Sequence, residues 1–303
     1  MRSFHLSFLL PSLLATTLLG ACGGGGANDN GSGGTPREFT IQQEALTESS
    51  GLGTSGRSAD LYWSHNDSGG PTDLYAFDGK GAPRGALHLQ PAVNLDWEDM
   101  AAFTENDTPR LLVGDIGDNG AIRLSVRLYI IDEPALDGSN ATQTVTPQQT
   151  IIVHYPDGAR DCESVAVDPV EGMIYLLSKR DAVPRLYRLP LHPTLPLLVA
   201  AEALGEINIP RAAADDPDPE RSNWVTSMEF DSTLRRAAVV TLTHAYVYTR
   251  ADNETWQQAF QHAPRALDLP GYSQIEAISF SADGKELLIT SEGSPTPAAH
   301  LPL

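Results

Sequence analysis

Five short segments of the chain repeat one residue pattern, and this repeat constrains the fold more than any other feature of the sequence. In each segment a residue with a side-chain oxygen precedes a small or polar residue and then an apolar residue. A turn and a second apolar stretch follow every segment. Intervals of about 40 to 50 residues or more are typical of propeller blades, and longer ones indicate insertions. The segments begin at Ser50, Glu98, Glu163, Thr226 and Glu276, which lie 48, 65, 63 and 50 residues apart.

The rest of the sequence also favours an all-β fold. Helical periodicity is nearly absent, and short runs rich in Val, Ile, Leu and Tyr alternate with Gly, Asp, Asn and Pro. Turn-forming pairs such as Asp78-Gly79 lie where hairpins would close. The repeat therefore predicts a β-propeller of five blades over residues 38–303. Six blades are the alternative, in which residues 130–156 or 190–222 form an extra sheet.

Two segments outside the repeat are expected to complete the sheets. The fifth repeat lies so near the end of the chain that its blade needs a further strand. Residues 38–46 (EFTIQQEAL) would supply that strand and leave no free sheet edge. Within the longest insertion, residues 203–210 (ALGEINIP) are predicted to form an outer strand.

The first 22 residues have the layout of a secretory signal peptide. Arg2 precedes an apolar run over residues 6–19. Pro11 interrupts this run, which is also shorter than the roughly 20 apolar residues that a membrane span needs. Residues 19–22 (LGAC) resemble the lipobox of bacterial lipoproteins. This resemblance implies cleavage before Cys22 and acylation of that cysteine, which would anchor the mature chain in a membrane.

The segment after Cys22 predicts a flexible tether. Residues 23–36 consist mainly of Gly, Ser and Asn, so they offer almost nothing apolar to bury. We therefore predict a signal peptide over residues 1–21, a lipidated cysteine and tether over residues 22–37, and a propeller over residues 38–303. The residue directly after the cysteine is Gly23, which is not acidic. Similarity to Gram-negative lipoproteins then implies an exported protein anchored to the bacterial cell envelope at the outer membrane.

The chain is strongly acidic, with 39 Asp and Glu residues against 20 Lys and Arg residues and a net charge of −19. A field of this sign repels nucleic acid and anionic lipid and attracts cations. We expect no nucleic-acid partner and a monomeric protein. If Cys22 carries lipid, Cys162 is left without an intrachain partner, because the sequence contains two cysteines. We expect Cys162 to be a small buried residue rather than a nucleophile.

The repeat also predicts a candidate metal site. The first strand of each propeller blade lines the central channel, so Ser50, Glu98, Glu163, Thr226 and Glu276 are expected to converge on the axis. Three carboxylates held this close repel one another unless protons or a cation neutralise them. Because all five side chains offer oxygen, the set favours one Ca²⁺ ion over zinc or copper. The alternative is that the glutamates hold neighbouring blades through backbone hydrogen bonds, without a metal.

The five segments together resemble the inner strands of one family of propellers. The strings ESSGLG, DWEDMA, CESVAV, VTSMEF and QIEAISF are similar to those of the soluble calcium-activated nucleotidases, or apyrases. The resemblance extends over residues 48–292. It implies a five-bladed propeller with one Ca²⁺ ion in the central tunnel and an activity on phosphate anhydrides. The chain also resembles bacterial propeller proteins of unassigned function that carry DWED and GDIGDN motifs.

Polar residues at the ends of the second strands are expected to surround one mouth of the channel. By resemblance to apyrases, Asp67 or Asp115 would orient or deprotonate the attacking water. Lys179 and Arg180 would bind the phosphate charge. The simpler interpretation of such acids is that they form turn hydrogen bonds, and we favour it for Asp118.

Two functions therefore fit the sequence. The first is a Ca²⁺-dependent hydrolase of phosphate esters or anhydrides. The second is a non-catalytic surface propeller that binds a protein, a glycan or a small ligand and uses the metal to hold its blades. The predicted mouth is mostly acidic and would repel an anionic substrate, which favours the second function. No GxSxG, HExxH or P-loop motif occurs in the sequence, so other enzyme classes find little support.

Overall fold

The fold of the chain is described by a computed structural model. Strands make up 48% of the described residues and helix 3%, so the protein is all-β as its sequence predicts. No helix in the described part of the chain is long and apolar enough to cross a membrane. The predicted signal peptide, Cys22 and residues 23–33 lie outside the described residues. The structure describes residues 34–194, 198–213, 215–272 and 274–303.

The described residues form 22 strands, together with a 3-10 turn at Arg221–Asn223 and one short helix, α1 (Trp256–Ala259). In chain order the strands are β1 (Arg37–Ile41), β2 (Ser49–Thr54), β3 (Tyr62–Asn66), β4 (Asp73–Phe77), β5 (Pro83–Leu89), β6 (Trp97–Glu105), β7 (Thr108–Asp115), β8 (Val126–Asp132), β9 (Thr142–Val145), β10 (Gln149–His154), β11 (Cys162–Asp168), β12 (Met173–Ser178), β13 (Arg185–Pro190), β14 (Leu198–Ala200), β15 (Glu202–Glu206), β16 (Val225–Phe230), β17 (Arg236–Thr241), β18 (Ala245–Thr249), β19 (Arg265–Leu267), β20 (Ile275–Phe280), β21 (Glu286–Ser291) and β22 (Thr296–Pro302).

These strands form five sheets, which are the blades of a propeller. From the centre outward, blade 1 is β2-β3-β4-β5-β9 and blade 2 is β6-β7-β8-β10-β14. Blade 3 is β11-β12-β13-β15, blade 4 is β16-β17-β18-β19, and blade 5 is β20-β21-β22-β1. Each innermost strand contacts the innermost strands of its two neighbours, so the five strands close a ring around the channel. The chain is therefore the five-bladed propeller that the repeat predicts.

The first strand of the described chain completes the last blade. β1 pairs antiparallel with β22, and Phe39 lies opposite Ala298. This pairing makes β1 the outermost strand of blade 5. It confirms the expectation that the segment beginning at Glu38 closes the ring.

The insertions add edge strands rather than a sixth blade. β9 pairs in parallel with β5 of blade 1, and β14 pairs in parallel with β10 of blade 2. β15 contains the first part of the ALGEINIP segment and is the outer strand of blade 3. The six-bladed alternative is therefore wrong, because the inserted strands extend sheets that already exist.

The apolar core consists of five clusters, one between each pair of neighbouring blades. The inner strands β11, β16 and β20 are buried along their whole length, because they face two neighbouring blades as well as the channel. Cys162 is fully buried in the cluster between blades 2 and 3, as the sequence predicts for a structural cysteine. Packing between blades, driven by burial of apolar surface, thus stabilises the ring.

Candidate metal and ligand site at the acidic mouth

Every inner strand contains a β-bulge at the first residue of its repeat segment. A bulge adds a residue to one strand, bends that strand and changes the direction of its side chain. The positions aligned by sequence are therefore equivalent in structure, and we name them the bulge ring. The pairing register shifts at Ser50, Glu98, Glu163, Thr226 and Glu276.

Four members of the bulge ring turn into one cavity of about 170 Å³, which we name the acidic mouth. They are Ser50, Glu98, Glu163 and Glu276. The ends of the second strands surround this cavity, as the sequence predicts. Five acids and three bases line it, so the acids outnumber the bases. The other lining residues are Asp67, Asn119, Lys179, Arg180, Arg221, Trp224, Leu242, Gln274 and Glu292.

Two basic side chains neutralise acids of this mouth. Lys179 Nζ pairs with Glu163 Oε2, and Arg180 pairs with Asp161 and lies 3.4 Å from Glu163 Oε1. Burial alone would lower the pKa of Lys179, but the nearby carboxylates, Glu163 first, raise it. Lys179 therefore stays charged. Lys179 thus supplies part of the positive charge that the sequence led us to expect from a metal ion.

The ring carboxyl groups nevertheless hold protons more tightly than usual. Burial raises the pKa of Glu276 to about 7, while the charge of Lys179 acts against this shift. Burial and the charge of Glu163 raise the pKa of Glu98 well above its usual range. The protein's own cations thus leave negative charge uncompensated at this mouth. Protons or a bound cation complete the neutralisation.

Three carboxylates at the junction of blades 1 and 2 form a separate group, which we name the carboxylate trio. One oxygen each of Asp67, Asp96 and Glu98 lies within 4.8 Å of the others. In the part of the chain that the structure describes, none of the three forms an ion pair. A second group, Glu98, Asp161 and Glu163, is equally close. Its Asp161 and Glu163 oxygens, however, already pair with Arg180 and Lys179.

Local backbone geometry brings the trio together. Asp115 is fully buried and accepts hydrogen bonds from the Asp96 backbone N–H at 3.0 Å and from Arg123 at 2.9 Å. A Cβ atom at Gly117 would collide with Glu98 Oε1 and with the Asp96 carboxylate. Glycine at position 117 therefore leaves the space in which two acids approach each other.

The structure places two of the predicted site residues outside the cavity. Asp115 positions the loop that carries Asp96 and does not line the acidic mouth. Thr226 Oγ1 donates a hydrogen bond to the Ile275 carbonyl at 2.8 Å, which links blades 4 and 5. Asp118 accepts backbone hydrogen bonds within its own turn, as expected.

One residue further along the inner strand of blade 2, the Asp99 carboxylate ties three blades together. It accepts hydrogen bonds from the Val165 N–H at 2.9 Å, the Met228 N–H at 3.1 Å and the Ser227 hydroxyl at 3.0 Å. Ser227 Oγ accepts in turn from the Ile278 N–H of blade 5 at 3.3 Å. Inner-strand acids outside the bulge ring therefore do hold blades through backbone hydrogen bonds: Asp99 does so here, and Glu229 accepts such a bond from the Phe280 N–H.

Sequence reasoning missed the position two residues before each bulge. Residues 96–98 (DWE) and 161–163 (DCE) share an Asp-x-Glu pattern that could have indicated Asp96 and Asp161. In blade 4 the same position is Trp224, and the Arg180 guanidinium lies 4.6 Å from its ring centroid. The aligned repeat contained this signal, because the position recurs in every blade.

No protein-family model matches the sequence, and no curated protein matches it. The likeness to calcium-activated nucleotidases therefore rests on the repeat motifs, and the structure establishes the propeller fold.

Proposed function

We propose that the protein is a binding module that holds one divalent metal ion, preferably Ca²⁺, between Asp67, Asp96 and Glu98 at the edge of the acidic mouth. The observation that carries this proposal is the closeness of the trio, whose oxygens lie within 4.8 Å of one another without a basic partner in the described chain. Burial raises the pKa of all three carboxyl groups. A cation that binds all three relieves their repulsion and stabilises the mouth.

The chemistry of the donors favours Ca²⁺. The Ser50 hydroxyl and the Asn119 amide line the same cavity and offer further oxygen atoms. Ca²⁺ takes about six to eight oxygen ligands in flexible geometry, whereas zinc and copper prefer nitrogen and sulfur. Of the bulge ring, Glu98 alone belongs to the trio. We therefore place the ion beside the axis, because Lys179 already neutralises Glu163 near the axis.

The ion pairs that Lys179 and Arg180 already form favour a binding function over catalysis. To bind a phosphate group, Lys179 and Arg180 would have to release Glu163 and Asp161. Breaking such buried ion pairs is costly. The cavity also carries more acids than bases, so an anionic substrate meets repulsion.

One observation supports hydrolysis of phosphate esters or anhydrides as a second candidate function. Arg221 lines the same cavity, and its guanidinium lies 5.8 Å from the Trp224 ring centroid. It forms no ion pair with any described residue. A guanidinium beside an aromatic ring suits a phosphate attached to a planar group. In such a reaction Asp67 would orient the attacking water.

We also propose that the mature protein is exported and anchored to the outer membrane through acylated Cys22. Residues 1–22 support this location, because a basic residue at the start, an apolar run and a lipobox-like sequence at the end occur together. Metabolic labelling with a radioactive fatty acid in a Gram-negative host tests it. Label in the wild-type chain but not in Cys22→Ser supports the anchor, and an unlabelled wild-type chain rejects it.

Calorimetric titration of the chain 23–303 with Ca²⁺ and with Mg²⁺, after removal of metal by EDTA, tests the metal site. All strands of the ring lie within this fragment. We expect one Ca²⁺ site that Glu98→Gln weakens by more than about tenfold, since even outer-shell changes cost about that much. Glu292→Gln is the matched control, because Glu292 lines the cavity outside the trio. A wild-type chain that binds no divalent cation would reject the proposal.

A phosphate-release assay with nucleotides and simple phosphate esters separates the two candidate functions. Metal-dependent release that Arg221→Ala lowers, with unchanged Ca²⁺ affinity, supports the hydrolase. No release from any substrate by the Ca²⁺-loaded chain supports the binding module.

A further inference from the structure

The channel has a second cavity at the end opposite the acidic mouth, which we name the far mouth. Its volume is about 510 Å³, within the range of roughly 300–1,000 Å³ that small-molecule sites occupy. All five blades contribute to it through the last residues of their inner strands, so it lies on the axis of the propeller. These residues are Thr54, Thr104, Val167, Phe230 and Phe280.

The far mouth combines apolar walls with polar ones, and its charged lining residues are the buried acids Glu229 and Asp231 and the side chain of Arg57. Phe103, Phe230 and Val167 form part of its walls and are largely buried. Glu229 also lines it, with only 5% of its surface exposed. Val170 lies at the rim and is 84% exposed. A cavity with apolar walls and a small number of placed polar groups is the usual arrangement for orienting a small ligand.

Glu229 is less satisfied than the other buried acids on this side. Its carboxylate accepts hydrogen bonds from the Ser279 hydroxyl at 3.1 Å and from the Phe280 N–H at 2.5 Å. A carboxylate has about four acceptor positions, so about two are left. By contrast, Asp231 pairs with Arg236 at 2.9 Å. No described Lys, Arg or His forms an ion pair with Glu229.

We propose that the far mouth is a second ligand site, which binds a small organic ammonium compound with an apolar body. The ammonium group would donate hydrogen bonds to Glu229, and the apolar body would lie against Phe103, Phe230 and Val167. An ammonium has three N–H donors and supplies the positive charge that this carboxylate lacks.

Other ligand chemistries fit the far mouth less well. An anion would bring a second negative charge to a buried carboxylate, which is unfavourable in a low-dielectric cavity. A neutral alcohol would fill the cavity without compensating the charge. Burial raises the pKa of Glu229 well above its usual range, which agrees with a carboxyl group that lacks a cation.

The site is independent of the metal proposal. Glu229 and the carboxylate trio lie at opposite ends of the inner strands, and the Asp99 hydrogen-bond network lies between them. Either site can therefore fail without the other.

Titration of the chain 23–303 with hexylammonium chloride, followed by calorimetry in an amine-free buffer with EDTA, tests the proposal. Hexanol and hexanoate of matched length are compared. We expect saturable binding of hexylammonium that is at least about tenfold tighter than binding of hexanol, with no binding of hexanoate. Equal affinity for hexylammonium and hexanol would show an unspecific apolar cavity and overturn the proposal.

Two variants locate the bound probe. Glu229→Gln keeps the shape of the side chain and should weaken hexylammonium binding by at least about tenfold. Because Glu229 also joins blades 4 and 5, thermal melting must show that the variant is folded. Ala102→Leu fills the cavity wall, keeps the Glu229 carboxyl and should weaken binding in the same way.

A variant of the acidic mouth completes the experiment. Glu98→Gln should leave hexylammonium affinity unchanged, because Glu98 lines the other cavity. Loss of binding in Glu98→Gln together with retention in Glu229→Gln and Ala102→Leu would place the probe in the acidic mouth and reject the far-mouth site.

Discussion

The two mouths of the channel are formed by opposite ends of the same five strands, yet their chemistry differs. At the acidic mouth, bulges turn three glutamates into a cavity of about 170 Å³. At the far mouth, the strands enclose a cavity of about 510 Å³ with several apolar walls, in which Asp231 pairs with Arg236 and the buried Glu229 forms no ion pair with a described residue. The acidic mouth is suited to a small cation that many oxygens surround. The far mouth is suited to a larger ligand that one carboxylate orients.

The comparison shows that a repeated backbone feature sets positions but not chemistry. All five bulges place a side chain at equivalent points, yet Ser50 and Thr226 carry hydroxyls where three blades carry carboxylates. Compensation of charge also differs between the mouths. Lys179 and Arg180 neutralise acids at the acidic mouth, whereas Glu229 has two neutral hydrogen-bond donors.

The largest effect is expected from Asp99→Ala, which removes the group between the two mouths. The Val165 and Met228 N–H groups and the Ser227 hydroxyl would lose a buried acceptor. Each such loss costs about 1–3 kcal/mol, so the free energy of unfolding should fall by about 4–5 kcal/mol. Urea unfolding of the chain 23–303 measures it. A fall below about 1 kcal/mol would contradict the role of Asp99 as a link between blades.

A smaller loss is expected from Lys179→Met, which affects the acidic mouth alone. The variant leaves Glu163 without its ion-pair partner. Because Glu163 can take up a proton, the cost should be about 2–3 kcal/mol rather than the full 3–5 kcal/mol of a broken buried pair. Urea unfolding in EDTA measures this cost, and added Ca²⁺ should recover part of it. Arg188→Met, which removes a surface ion pair with Glu202, is the control and should cost less than about 1 kcal/mol.

The pH dependence of the free energy of unfolding should show whether Glu276 is protonated in the folded protein. Burial raises the pKa of Glu276 to about 7 from an ordinary value of 4.5. The folded state therefore binds the proton more tightly than the unfolded state, and stability must fall as pH rises between these values. The fall should approach about 3 kcal/mol and level off above about pH 7. Without metal, Glu276→Gln should flatten this part of the profile in urea unfolding, and an unchanged profile would contradict the assignment.

The smallest effect is expected from Val170→Ser at the rim of the far mouth. Val170 is 84% exposed, so its replacement should change the free energy of unfolding by less than about 0.5 kcal/mol. Hexylammonium affinity should fall a few-fold at most, and Ca²⁺ affinity should stay the same. A large loss of stability would show that the rim is part of the structural core.

The sequence predicted the fold well, because a repeat reports directly on an architecture built from similar units. Aligning Ser50, Glu98, Glu163, Thr226 and Glu276 located the five inner strands, and the structure shows a bulge at each. The closing strand was also predictable, since a chain that ends near its last repeat needs a strand from elsewhere. The partners of β9 and β14 were not predictable, because short strands of this kind carry no signal for the sheet that they join.

The arrangement of the candidate site was harder to predict than its residues. The sequence predicted Glu163 as a metal ligand and Lys179 as a phosphate-binding residue. In the folded protein the two side chains form one ion pair. Asp115 was indistinguishable from Asp67 as a strand-end acid, yet it is buried under Arg123 while Asp67 lines the cavity. Charge pairing at the strand ends depends on side-chain directions and distances in the folded sheet, and residue spacing does not contain them.

The sharing of edge strands has a consequence for the order in which the protein takes shape during synthesis. β9 lies among the strands of blade 2 but completes blade 1, and β14 lies among those of blade 3 but completes blade 2. β1 is made first and finds its partner, β22, only when the last strand has left the ribosome. The earliest blades thus wait for later ones, and the ring closes only after β22 has been synthesised. For a chain exported as we propose, this delay keeps the polypeptide open during the period in which it must be threaded through a membrane.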